Sequence, residues 1–190
     1  MNNTNSKNPN IPFWYLSWWG FMLGSIAIGI HLVFKSSGWI WKMWSPAILI
    51  LTIFFVFMSV GFIGIYTIKK KYLGFYPFRK VFALYLWITF FATLMLIGHD
   101  YWFHFIAEPD FDLNYLLKSK EELLKFKQNG GDISEEQYQT ILKNIDEGIK
   151  TVQENPTTFI HLVVGRFKYT LVYTMISGFV ITTLMRDVSE

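Results

Sequence analysis

Gly98-His99-Asp100-Tyr101-Trp102-Phe103-His104-Phe105 closes the third long apolar run of this chain and decides how the rest is read. Asp100 is the only carboxylate inside any apolar run, and the stretch leads through Glu108-Pro109-Asp110-Phe111 into the one sizeable polar insertion. Outward from it, four apolar runs are visible: Phe13 to Phe34, Ser45 to Ile68, Val81 to Ile106 and Phe159 to Leu184. Each meets the roughly 20 helical residues needed to cross a hydrocarbon core of about 30 Å. The 190 residues are 52% hydrophobic and 19% aromatic with only 16% charged, a composition that points to a membrane protein. The expected fold class is therefore all-α and integral to the membrane, with four transmembrane helices and an extracytoplasmic amphipathic helical hairpin between the third and fourth. Residues 1–106 would hold the N-terminal tail and three spans, 107–158 the hairpin, and 159–190 the last span and a tail.

The distribution of charge sets an orientation. Between the second and third runs, Lys69, Lys70, Lys71, Arg79 and Lys80 supply five basic residues and no acid. By the positive-inside rule this collar is cytoplasmic, and anionic lipid headgroups are its cheapest partner. Alternation then places both termini in the cytoplasm and 107–158 outside, with Lys35 and Lys42 of the first loop as a mild contrary signal. The insertion from Ala107 to Thr158 carries six lysines against eleven acids, but acids contribute little to orientation. The first run lacks an Ala-x-Ala-like cleavage site nearby and is expected to be retained. Cysteine is absent, which excludes disulfides and thiolate metal sites.

Aromatics cluster where a membrane interface would lie, at Phe13, Trp14, Tyr15, Trp18 and Trp19, and again at Trp39, Trp41 and Trp44. Gly20-x-x-x-Gly24 and Ser25-x-x-x-Gly29 put small residues on faces of the first span, either as a close-packing or dimer seam or simply because glycine is common in membrane helices. In the insertion, Leu113, Leu116, Leu117, Leu123, Leu124 and Phe126 give a first helical stripe, which Asn129-Gly130-Gly131 stops. Ser134-x-x-Gln137 reads as a capping box opening a second helix, with Tyr138, Ile141, Leu142, Ile145, Ile149 and Val152 in helical register until Asn155-Pro156. About fifty residues make a small core, so this hairpin is expected to lean on the spans, on a second copy or on a partner.

The order of these features resembles an uncharacterised bacterial four-span membrane family, a domain of unknown function. The resemblance is carried by Gly74, Phe78 and Phe82 after the basic loop, by Pro109-Asp110-Phe111, and by Ser134-Glu135-Glu136-Gln137, and it covers nearly the whole chain. It implies a membrane location and this architecture, and brings no activity, cofactor or catalytic residue. The chain departs from the family's plain apolar last span through Arg166 and Lys168.

His31, His99, His104 and His161 all fall near the outer ends of spans, together with Asp100, Arg166 and Lys168. Charges inside a span are functional candidates. Three readings stand: an ion pair of Asp100 with Arg166 joining the third and fourth spans, a proton or ion path, or a metal site drawing on His31, Asp100, His104 and His161. Asp100 and His104, four residues apart, would share a helix face. His31, His104 and His161 also suit interfacial positions among headgroups, and Lys168 can snorkel. No phosphate loop, nucleophile elbow or His-Glu-x-x-His pair is present. No cofactor and no nucleic acid is expected. The leading expectation is a non-enzymatic inner-membrane accessory or assembly subunit that binds proteins or lipids through the hairpin, the glycine faces or the collar. The alternative is an oligomeric ion, proton or metal channel or carrier, and a lipid-modifying enzyme with His99 or His104 as base ranks last.

Overall fold

A computed structural model of the protein describes residues 11–41, 45–72 and 75–186. Among the described residues there is no strand. Six α-helices follow one another: α1 Phe13–Ser36, α2 Ser45–Lys71, α3 Phe78–Trp102, α4 Phe111–Gln128, α5 Glu135–Glu154 and α6 Phe159–Met185. A π-helical turn, Phe103–Ala107, extends α3. Four helical stretches are long and apolar enough to cross a membrane, namely Phe13–Ser36, Ala47–Lys71, Phe78–Ala107 and Phe159–Met185. They overrun the apolar runs by a few basic residues, Lys69 to Lys71, Arg79 and Lys80, whose long apolar stems let the helix continue. Lys42, Trp44 and Gly74 lie outside the described residues, so the Gly74 part of the family resemblance has no structural counterpart here.

The four long helices form a bundle in which α3 packs on α1 and α6, and α2 packs on the other sides of α1 and α6. The bundle has an apolar core with small polar residues set into it, and its outer surface is apolar. Phe55, Ile63, Phe179 and Leu184 are all more than half exposed, whereas Thr89, Thr93, Asp100, Thr170, Thr174, Ser177 and Thr182 are buried, all on α3 and α6. Lipid as solvent rewards this distribution, since an apolar surface costs nothing there and small polar residues let helices approach. Tyr85 shows how the centre is filled. Its ring lies against Gly61 of α2 and Gly178 of α6, where any added Cβ would collide with it. Its hydroxyl meets Ser177 Oγ at 2.6 Å.

Gly20 and Gly24 give the α1 seam its partner. A Cβ at Gly20 would strike Phe91 and the Ile88 carbonyl, and one at Gly24 would meet Met95, so α3 of the same chain fills this face. The dimer reading of that glycine face is thereby corrected. Gly29, the other member of the pattern, has open space around its Cβ position.

Helices α4 and α5 pack as an antiparallel hairpin, tied by Lys120 to Asp146 at 2.6 Å and by Lys127 to Glu135 at 3.2 Å. Gly130, at φ 77°, takes the left-handed conformation that ends α4. The capping box forms as the sequence predicts: Gln137 N–H donates to Ser134 Oγ and Ser134 N–H to Gln137 Oε1. Hydrogen bonds from Gln139 and then Lys127 hold the Glu135 carboxyl below the usual range. Leu123 is fully buried in this hairpin, but no residue of α5 is.

Candidate functional site

Asp100 sits in the last turn of α3 and Arg166 in the second turn of α6, two helices that pack along their length. Arg166 donates twice to the one carboxylate, from Nε to Oδ2 at 2.6 Å and from Nη2 to Oδ1 at 2.7 Å. This fork-to-fork geometry is the strongest arrangement available to the two groups. Asp100 is 7% exposed, so its charge is tolerable only because it is paired. Lys168 is exposed, as a position about 200° round the helix from Arg166 should be.

His31 faces α3 across the helix seam. Its Nδ1 lies 3.0 Å from His99 Nε2, so one ring donates to the other across the α1 and α3 seam. Its ring also stands edge-on to Phe103, with centroids 5.0 Å apart. His104 lies in the π turn after Asp100 and has a different partner. With Glu108 N–H bonded to Phe103 O, the helix widens by a residue, and His104 turns to α4, where Nδ1 stands 3.5 Å from Asp112 Oδ1. The expected shared face of Asp100 and His104 is therefore not a shared ligand set. His161, in the first turn of α6, is exposed at the rim, and its backbone N–H is capped by Thr158 Oγ1.

All four histidines, Asp100 and Arg166 line one cavity of about 540 Å³ among α1, α2, α3 and α6, roofed by Phe111 and Thr157 at the base of the hairpin. Its apolar wall comes from Leu49, Ile50 and Ile53 of α2 and from Leu96. Both Asp100 oxygens serve Arg166, and among the described residues no three His, Asp or Glu side chains are grouped to hold an ion.

Several participants escaped the sequence reading. Asp112 also accepts from Thr157 Oγ1 at 2.8 Å, pinning the start of α4 to the lead-in of α6. Lys35 ion-pairs with Glu108 and lies 4.7 Å from the centre of the Phe103 ring. Tyr169, Tyr173 and Gly165 complete the α6 wall. Asp112 was visible only as one acid among many after the third span, and nothing local marks Gly165.

At the other end the five basic residues divide. Lys69 Nζ donates to the Met185 carbonyl at the C-terminus of α6, at 2.6 Å. Lys71 lies 4.3 Å from the centre of the Tyr15 ring and Lys80 4.5 Å from that of Tyr76, while Lys70 and Arg79 point outward exposed. The lipid-headgroup role expected for all five is therefore open chiefly to Lys70 and Arg79.

Fold and site together define a four-helix membrane protein with a polar pocket at one end of its bundle and a helical hairpin beside it. The chain belongs to the family described as a protein of unknown function, DUF4199, which matches residues 18–186. No curated protein and no solved structure matches it.

Proposed function

We propose that the protein is a non-enzymatic accessory or assembly subunit of a bacterial inner membrane, binding a protein partner through the α4–α5 hairpin and anionic lipid through the outward basic residues. In this reading the termini and the basic loop are cytoplasmic and 107–158 lies outside. The hairpin carries it: α5 buries nothing completely, and Leu117, Leu124 and Phe126 on α4 stay 43%, 38% and 43% exposed. Apolar side chains left open on a water-facing element mark a surface that another molecule covers. A channel through a single chain is less favoured, because beneath the cavity the bundle is closed by Phe57, Tyr85 and Ile88, all fully buried.

Single cysteines at Gly130 and Tyr72 test the orientation. An impermeant thiol reagent applied to intact cells should label only position 130, and labelling only at position 72 would reverse it. For the partner, a photo-crosslinker at Leu124 in the intact membrane should give a heavier adduct containing a different chain. An adduct with a second copy would make the assembly homo-oligomeric, and none at Leu117, Leu124 or Phe126 would remove the hairpin reading.

A further inference from the structure

We propose that the cavity between α2 and α6 binds the oxygen-rich glycerophosphate head of a membrane lipid, with the acyl chains leaving sideways between Ile50 and Tyr169. This stands apart from the hairpin reading, and either can fail without the other. The first support is shape. The lining runs from a buried floor, Ala27 at 1% and Leu96 at 4% exposure, to an open rim, Ile50 at 46% and Tyr169 at 60%. Ile50 and Tyr169 lie about 8 Å and about 15 Å along their helices from the hairpin end, at 1.5 Å per residue. That places the mouth on the flank of the bundle, at the depth of lipid chains. The slot ends where Tyr173 closes on Phe54 and Phe57, with ring centroids 6.3 and 5.8 Å apart. A volume of about 540 Å³ accommodates a head group and leaves two acyl chains outside.

The second support is the balance of donors and acceptors. Arg166 has five N–H groups and directs Nε and Nη2 at Asp100, whose two oxygens are thereby occupied. The guanidinium, 26% exposed and lining the cavity, keeps further donors. In the His31–His99 pair one ring donates to the other, so whichever tautomers form, the two outer nitrogens present one N–H and one lone pair. Donors exceed acceptors, which suits phosphate and ester oxygens. Third, Asp100 neutralises Arg166, so the site should accept a phosphate whatever the rest of the head carries. Hydrogen bonding, rather than net charge, then sets the affinity.

The test uses the full chain in mild detergent and reads lipid retention by native mass spectrometry together with melting shifts. Dioctanoyl phosphatidylcholine and dioctanoyl phosphatidylglycerol should bind within about threefold of each other, and dioctanoylglycerol roughly tenfold more weakly. Inorganic phosphate alone should not shift melting. Gly165→Leu is the blocking variant, since a Cβ there meets nothing within 4 Å and Gly165 lines the cavity. Leucine is also the better helix former, so the fold should hold. It should weaken both phospholipids by roughly tenfold or more. Ile50→Trp, which narrows the mouth from α2, should do the same and serves if Gly165→Leu does not fold. Unchanged phospholipid binding in the folded variants overturns the site. Dioctanoylglycerol binding as tightly as the phospholipids overturns the head-group chemistry, a full shift from inorganic phosphate overturns the lipid in favour of a free anion, and a large preference for phosphatidylglycerol overturns the neutralised arginine.

Discussion

The two ends of the bundle handle positive charge in opposite ways. At the hairpin end Arg166 lies within a span and meets a buried carboxylate in a bidentate pair. At the other end five basic residues sit with no acid among them, and they are satisfied by a helix C-terminus, by aromatic rings and by solvent. The difference is one of depth. A charge turned into the bundle beyond the first turn of a span needs a counter-charge, while a lysine at a helix end or on an outward face can bend toward the headgroups. A partner is thus obligatory in one place and optional in the other, and mutational costs should follow that order.

The largest effect should come from breaking the deep pair. Asp100→Asn or Arg166→Gln each strands a charge and should cost about 3 kcal/mol of stability in detergent. The double substitution, or the swap of the two residues, should recover part of it. Simple additivity in the double-mutant cycle, read from thermal or denaturant melts, would uncouple the pair and erase the contrast between the ends. Lys69→Gln comes next. Removing the ammonium from the α6 C-terminus should cost about 0.5–1 kcal/mol, the scale of a cation at a helix end, and a loss as large as that of Asp100→Asn would show that both ends hold obligatory partners. Smallest are Lys70→Gln and Lys168→Gln, exposed residues whose melts should stay within about 0.5 kcal/mol of the unmodified chain. Lys168 also sharpens the comparison, because it should not rescue Arg166→Gln even though it lies two residues away.

The sequence made much of this legible, unevenly. The turn at Gly130 and the capping box at Ser134 are local devices, and local chemistry is what a sequence displays directly. The Asp100–Arg166 pair was within reach because two charges at matched depth in neighbouring spans leave few alternatives. The contact of His31 with His99 was not legible. The two lie 68 residues apart, and their meeting depends on the close approach that Gly20 and Gly24 give α1 and α3. Asp100 and His104 line one cavity, but the pairing of His104 with Asp112 was not legible, and no residue of Phe103–Ala107 announces a π turn.

By itself the sequence determined the helical class, the number of membrane-competent helices, the hairpin and the asymmetry of charge between the two ends. These follow from the length of apolar runs, from helical periodicity and from capping residues, all of which act within a few turns of chain. Only the tertiary structure decided which helices touch, that a glycine seam faces α3 instead of a second copy, and that four histidines line one cavity. Those outcomes depend on steric fit between segments far apart in the chain, such as the Tyr85 ring against Gly61 and Gly178, and pattern within a segment carries no record of such fit.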